Sequence, residues 1–302
     1  MDPNTARIFE VGPRDGLQNE DIILEVDQKV ELIERLVDAG VSDIELGSFV
    51  RSDWVPQMAD TAEVARRLRR KEGVRYWALV PNRTGLERAL DAGVNHVATF
   101  MSASETHNQK NLNRSITDSL QDLEVSIGIA RDHGCEVRAY VSTVFGCPYE
   151  GDVPFERVMD IAGKLVGFGA DLISLGDTIG AGTPPQVEHG CRQALEAFGT
   201  RGVALHLHDT QGLGLTNAYV AWKVGMRQFD SAVGGTGGCP YAPGAAGNLG
   251  SEDLLHLFET MGVNTGISLD AILATSKWID ESTDIDIASR YYCYRSTAHT
   301  HD

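Results

Sequence analysis

The stretch VDQKVELIERLVDAGVSDIELGSF, residues 26–49, holds one full unit of the chain's organisation. Val26, Val30, Ile33 and Val37, with Leu32 and Leu36 beside them, recur at the three- and four-residue spacing of an amphipathic helix. Asp38-Ala39-Gly40 supplies a glycine stop. A short apolar run, Asp43–Phe49, follows and reads as a strand.

The same alternation extends in both directions. FERVMDIAGKLVGFGA (155–170) is a second helix with a glycine stop, and the DAG stop recurs at 91–93. Strands are predicted at Arg7–Val11, Asp43–Phe49, Tyr76–Val80, His96–Phe100, Val137–Phe145, Leu172–Gly176, Ala204–His208 and Gln228–Val233. Strands separated by helices are expected to pair in parallel. Eight such units in 302 residues fit a (β/α)8 TIM barrel better than a doubly wound open sheet. No low-complexity linker divides the chain, so one domain is expected over residues 1–302. The pattern fades after about residue 276, which marks 276–302 as a divergent C-terminal segment.

Composition narrows the function classes. Apolar residues make up 42% of the chain and charged residues 23%, as in a folded globular protein. The formal charge is −17, from 26 basic and 43 acidic residues. Such a field repels phosphate backbones, so nucleic acid is not expected as a partner. No run approaches the ~18 apolar residues that span a bilayer, so no membrane partner is expected. The five cysteines, Cys135, Cys147, Cys191, Cys239 and Cys293, are odd in number and form no CxxC. They indicate neither a disulfide framework nor a zinc knuckle. MDPNTARIFEVG has no basic-then-apolar leader, and a cytoplasmic location is expected.

In a TIM barrel the chemistry sits at the C-terminal ends of the strands. The first strand runs into GPRDGLQ, with Arg14, Asp15 and Gln18. The second carries Glu45, the fifth Tyr140, and the sixth ends at Asp177 in SLGDT. The seventh ends in HLHDT, where His206 and His208 are two apart and share one face of a strand. Two imidazoles at a barrel mouth make half of a metal site; the alternative is a hydrogen-bonded polar pair. Asp15 could add a carboxylate and Asn248 an amide oxygen. That mixed set suits Mg²⁺ or Mn²⁺ better than structural zinc. A second H-x-H, His299 and His301, reads as a solvated tail. Arg14 is either the partner of Glu45 or Asp177 in an ion pair, or a fixed cation for an oxyanion. Glu45 and Asp177 either support Arg14 and the histidines or transfer protons. Cys239 lies in the Gly-rich stretch GGTGGCPYAPGAAGN (234–248), which suggests a closing loop. That stretch is not a phosphate loop, because no GxxxxGK[ST] is present.

Five segments together, EVGPRDGLQNE (10–20), GCPYEG (146–151), SLGDTIGAGTP (174–184), HLHDTQGLGLTNA (206–218) and GGCPYAPGAAGNLGSED (237–253), resemble the 3-hydroxy-3-methylglutaryl-CoA lyase family. The resemblance runs from about residue 7 to about residue 270. It implies that Asp15, His206, His208 and Asn248 are metal ligands, that Arg14 is catalytic, and that Cys239 is a loop cysteine needed for full activity. It places Glu45, Asp177, Tyr140 and Glu252 at supporting positions, with Gln18 and Ser48 beside them. The implied reaction is a retro-Claisen cleavage of an acyl-CoA to acetyl-CoA and acetoacetate. The implied assembly is a homodimer or larger homo-oligomer.

The sequence departs from the family at Asp21, which follows Glu20 where a non-acidic residue is usual, and at Asp284 and Asp286, which replace a basic segment. Negative charge there does not favour a CoA phosphate. Lys110 and Arg114, in SETHNQKNLNRS (104–115), are candidate compensating cations. The expected activity is cleavage of 3-hydroxy-3-methylglutaryl-CoA. The alternatives are a lyase for another 3-hydroxy-3-substituted acyl-CoA, of citramalyl type or longer chain, then a Claisen-type synthase, then a binding protein that kept the barrel.

Overall fold

A computed structural model describes residues 4–237 and 247–298. Eight parallel strands close into a barrel in chain order: β1 Arg7–Glu10, β2 Asp43–Ser48, β3 Arg75–Leu79, β4 His96–Ser102, β5 Glu136–Ser142, β6 Leu172–Asp177, β7 Val203–Leu207 and β8 Gln228–Ser231. Closure is made by β1 on β8, with Arg7 beside Gln228 and Glu10 beside Ser231. The helices α1 Val26–Asp38, α2 Thr61–Arg67, α3 Arg83–Asp91, α4 Glu105–Leu112, α5 Ile116–Asp132, α6 Phe155–Phe168, α7 Pro184–Gly202, α8 Gly214–Lys223, α9 Ser251–Thr260, α10 Leu269–Ser282 and α11 Arg290–Ala298 accompany them. This is the (β/α)8 TIM barrel expected from the strand spacing. No helix among the described residues is long and apolar enough to cross a membrane.

The α1 unit shows how the sequence builds this. Leu32, Ile33, Leu36 and Val37 form its buried stripe against the barrel. Burying each such side chain stabilises by roughly 1.5–3 kcal/mol. The helix stops at Gly40, whose φ of +104° lies in the left-handed region. A Cβ there would strike the Gly266 carbonyl.

The barrel interior is layered. At its N-terminal end Asp43 accepts hydrogen bonds from Arg7 Nε (2.8 Å), Arg75 Nε (2.7 Å) and Trp77 Nε1 (3.1 Å). Above it Phe9, Trp77, Leu172 and Ala204 make a small apolar plug, with Phe9 and Trp77 edge to face at 6.0 Å. Above the plug, Arg138, Glu45 and Asp230 share the interior with an apolar cluster of Leu79, Ala98 and Tyr140 up to the C-terminal mouth.

Strand ends differ from expectation by a few residues. β5 stops at Ser142 and β8 at Ser231, because the chain turns outward to reach the mouth. The C-terminal segment is helical: α10 continues past residue 276 to Ser282, and α11 docks on α9 through a His256–Tyr291 stack at 3.9 Å.

Candidate active site

The turn after β1 carries Arg14 and Asp15 on a wide helical turn, in which the N–H groups of Arg14, Asp15 and Gly16 all donate to the Val11 carbonyl. Gly16 is required there, since a Cβ would collide with the Thr236 side chain. His206 ends the inward row of β7, and His208 follows it with the same parity. Their rings are 5.2 Å apart. Asn248 is drawn beside them by a β-bridge to His208.

These residues form one cluster. Asp15 Oδ2 lies 3.7 Å from His206 Nε2 and 4.0 Å from His208 Nε2. One ligand atom from each of Asp15, His206 and His208 falls within 4.8 Å of the others. His206 Nδ1 is engaged by Asp230 Oδ2 at 3.1 Å, which leaves Nε2 for a ligand. Asn248 Nδ2 donates to the Thr236 carbonyl at 3.1 Å, while its buried Oδ1 has no hydrogen-bond partner among the described residues. Burial raises the Asp15 carboxyl, but Arg14 and then the two histidines outweigh that and hold it at about 2. Burial, with His206 beside it, pulls His208 down to about 3, so its ring is neutral at pH 7. An ionised carboxylate, imidazole nitrogens and an orphaned amide oxygen fit a divalent ion.

Arg14 is fixed by Glu45, which accepts from its Nε at 2.5 Å, and by Asp15, which accepts from Nη1. Its ion-pair partner is therefore Glu45 and not Asp177. Burial opposes the guanidinium charge, but Asp15 and Glu45 outweigh it and keep Arg14 charged. Among the described residues none takes up Nη2, and Arg14 lines the cavity at the mouth. Tyr140 donates to Glu45 Oε1 at 2.7 Å and lies 3.1 Å from Asp230 Oδ2. Its ring meets His206 edge-on at 5.8 Å, and burial pushes its hydroxyl well above 10.

Next to the Asp15, His206 and His208 cluster lies a pair that the sequence reading missed. Arg138 and Asp230 are buried and joined through Arg138 Nη2. Arg138 Nη1 is 3.7 Å from Glu45 Oε1, and its guanidinium sits over Phe9 and Tyr140 at 4.1 and 4.5 Å. Burial raises Asp230, but Arg138 and then His206 hold it below the ordinary carboxylate range. The available signals were parity and register: Arg138 is two residues from Tyr140 on β5, and Asp230 is the register partner of His206.

The remaining expected residues are placed as follows. Gln18 lines the cavity. Ser48 is buried, its hydroxyl donating to the Leu79 carbonyl at 3.4 Å, and its neighbour Phe49 faces the cavity instead. Asp177 is buried between two cavity-wall residues, Gly176 and Thr178. Its carboxylate accepts from the Ala181 and Gly182 N–H groups at 2.9 and 3.0 Å. Burial raises it to about 6 against those bonds and the pull of His206. Glu252 accepts from the Gly234 N–H at 2.8 Å and from the Ser276 hydroxyl, pinning the start of the Gly-rich stretch; burial raises it to about 7. Cys239, His299 and His301 lie outside the described residues. Cys147 is buried, with its Sγ 2.9 Å from Ser104 Oγ.

Known proteins are similar to this chain in sequence and fold. The family described as HMGL-like matches residues 5–279. A Pseudomonas aeruginosa 3-hydroxy-3-isohexenylglutaryl-CoA/hydroxy-methylglutaryl-CoA lyase is 46% identical over 271 residues, 90% of each chain. The crystal structure of Bacillus subtilis HMG-CoA lyase is 45% identical and superposes with a TM-score of 0.95, covering 97% of this chain and 99% of that one. An Acinetobacter baumannii HMG-CoA lyase, solved in complex with coenzyme A and 3-methylmalate, is 36% identical with a TM-score of 0.92, over 96% and 95% of the two chains. The chain belongs to the 3-hydroxy-3-methylglutaryl-CoA lyase family.

Proposed function

We infer that this chain cleaves 3-hydroxy-3-methylglutaryl-CoA to acetyl-CoA and acetoacetate, with Asp15, His206, His208 and Asn248 holding Mg²⁺ or Mn²⁺. It is a carbon–carbon lyase. The observation that carries the reading is the convergence of Asp15, His206 and His208 within 4.8 Å, beside a charged arginine at the end of an open cavity.

A bound divalent ion supplies Lewis acidity, polarising the substrate's tertiary hydroxyl and free carboxylate. The residues do the rest. The hydroxyl proton goes to a base at the mouth; Asp177, raised to about 6 by burial, is the candidate, acting from behind the cavity wall. The electron pair left on that oxygen forms the ketone of acetoacetate as the C–C bond breaks. The bonding pair moves onto the thioester as an enolate. Arg14, held by Glu45 and Asp15, meets the developing oxyanion with Nη2 and needs no reorganisation to do so. A proton delivered to the enolate carbon, by way of Cys239 or a water, completes acetyl-CoA. Gln18 and Tyr140 line the substrate side of the site, whereas the Ser48 hydroxyl is taken up by the Leu79 carbonyl. Tyr140 keeps Glu45 oriented toward Arg14 through its 2.7 Å hydrogen bond.

The P. aeruginosa relative's name covers a longer branched acyl group, which makes the acyl substituent the open variable. A homodimer or larger assembly belongs to the same reading and rests on the family resemblance. A cleavage assay across thioesters tests it, using 3-hydroxy-3-methylglutaryl-CoA, a 3-hydroxy-3-isohexenyl analogue and citramalyl-CoA with Mn²⁺. Turnover of about 1 s⁻¹ or more on the first is expected. Turnover on another alone would move the assignment to that acyl group. Condensation of acetyl-CoA with a 2-oxo acid, without cleavage, would replace the lyase by a synthase.

A further inference from the structure

Thr143, the first residue past β5, has a φ of +61°. Left-handed backbone is uncommon for any residue but glycine, and a β-branched side chain is a genuine outlier there. Asn113, the other such residue among the described ones, ends α4 and is of a type that tolerates the conformation. Thr143 is also fully buried. Residues held in this way persist only where their surroundings over-determine them, and they gather at functional sites.

The surroundings that hold Thr143 are hydroxyl contacts. Its hydroxyl donates to the Ser142 carbonyl at 2.6 Å and lies 2.8 Å from the Ser102 hydroxyl. Since the Thr143 proton is committed to Ser142, Ser102 is the donor in the second contact. Ser102 Oγ in turn accepts from the Ser104 N–H at 3.1 Å.

The conformation changes where the backbone points. In an extended strand successive N–H groups face opposite neighbours. The Ser142 carbonyl accepts from the Ala103 N–H at 3.0 Å, on the β4 side. Past it, two successive N–H groups both face β6. The Thr143 N–H donates to Thr178 Oγ1 at 2.8 Å, and the Val144 N–H donates to the Gly176 carbonyl at 3.0 Å. Gly176 and Thr178 line the cavity, with Asp177 between them. Thr143 itself does not line it. The two bonds therefore grip the wall on either side of the candidate base. The Asp177 carboxylate is already held by the Ala181 and Gly182 N–H groups at 2.9 and 3.0 Å. What remains to be fixed is the backbone that carries it.

We propose that Thr143 is a positioning residue for the cleavage: its left-handed backbone turns two successive N–H groups onto β6 and fixes the wall that carries Asp177. This rests on the lyase reading above. The hydroxyl serves to hold the backbone, and a glycine, which takes this conformation freely, should serve in its place.

The test uses the Mn²⁺-loaded full chain, with 3-hydroxy-3-methylglutaryl-CoA kinetics and amide hydrogen exchange around residue 143. Thr143→Val keeps the shape, loses both hydroxyl contacts and still carries the branch, so its backbone should leave the left-handed region. Its kcat should fall about tenfold or more, part of the ~10²–10⁴ that a general base contributes. KM and bound Mn²⁺ should stay within twofold, and exchange should accelerate about tenfold or more. Thr143→Ser and Thr143→Gly should keep kcat within threefold and exchange slow. Thr143→Ala meets the same backbone penalty and replaces the valine variant if that chain does not fold. In a Thr178→Val background, which removes the acceptor, Thr143→Val should lower kcat by less than threefold further.

Unchanged kcat or unchanged exchange in the valine variant would overturn the proposal. So would a glycine variant as slow as the valine one, or losses that multiply in full in the double variant. These results leave the lyase reading standing, because the native chain still cleaves its substrate. A native chain that cleaves no hydroxyacyl thioester would remove the lyase reading, and this role for Thr143 with it.

Discussion

Asp230→Asn should separate two jobs done by one buried carboxylate. In the polar layer Arg14 and Arg138 face Asp15, Glu45 and Asp230, for a net charge of −1 before any ion binds. The substitution brings that layer to zero and leaves Glu45 to serve both guanidinium groups, at 2.5 Å from Arg14 and 3.7 Å from Arg138. Breaking a buried pair on one side destabilises by about 3–5 kcal/mol, and the amide's remaining hydrogen bonds favour the lower end. Asp230 also holds His206 Nδ1 at 3.1 Å. Loss of such a contact weakens metal binding about 10- to 100-fold. Urea unfolding of metal-free protein reads the first effect, and calorimetric titration with Mn²⁺ reads the second. Asp43→Asn is the control. It breaks a comparable buried pair with Arg7 and Arg75 at the other end of the barrel, so it should reduce stability and leave Mn²⁺ affinity within twofold. Native-like Mn²⁺ affinity in Asp230→Asn, or equal weakening in Asp43→Asn, would refute the coupling of Asp230 to the metal.

Three further outcomes are expected. Arg14→Gln should keep metal content and slow turnover by about two orders of magnitude or more, checked by elemental analysis and steady-state kinetics; near-normal turnover would remove Arg14 from the reaction. His206→Ala should lose metal and activity together, so unchanged metal content would exclude His206 as a ligand. Glu10→Gln should flatten the pH dependence of stability. Burial pushes Glu10 from 4.5 up to about 7, against hydrogen bonds from Ser251, Val233 and Gly12. The folded chain then binds more protons than the unfolded one between those values, so stability falls as pH rises from about 4.5 to 7. That span is worth roughly 3 kcal/mol. The variant's amide still accepts from the Gly12 and Val233 N–H groups and meets Ser251, so unfolding at pH 5 and pH 8 should show it gaining on the native chain as pH rises.

The barrel was legible because several strands follow a helix with a clear apolar stripe and a glycine stop, as in α1 and Gly40. His206 and His208 were legible because a two-residue spacing on a strand fixes a shared face. Arg138 and Asp230 were not. A single charge within a strand looks like an outward-facing residue, and their pairing across 92 residues exists only once the barrel closes. Nor was α4 readable, because ETHNQKNL has no apolar stripe; it is set by its Ser104 cap, whose Oγ accepts from the His107 N–H at 3.1 Å. The C-terminal α11, RYYCYRSTA, similarly lacks a stripe and is held by Asp253, which accepts from the Tyr291 N–H at 2.8 Å.

The most direct test of the metal-dependent lyase is acetoacetate formation by chelator-stripped protein as Mn²⁺ is added back, with bound metal counted in the same samples. Cleavage of 3-hydroxy-3-methylglutaryl-CoA should be absent from the stripped chain and rise in proportion to occupancy, reaching its full rate at one ion per chain. Undiminished cleavage without metal, or none with one ion bound per chain, would contradict it.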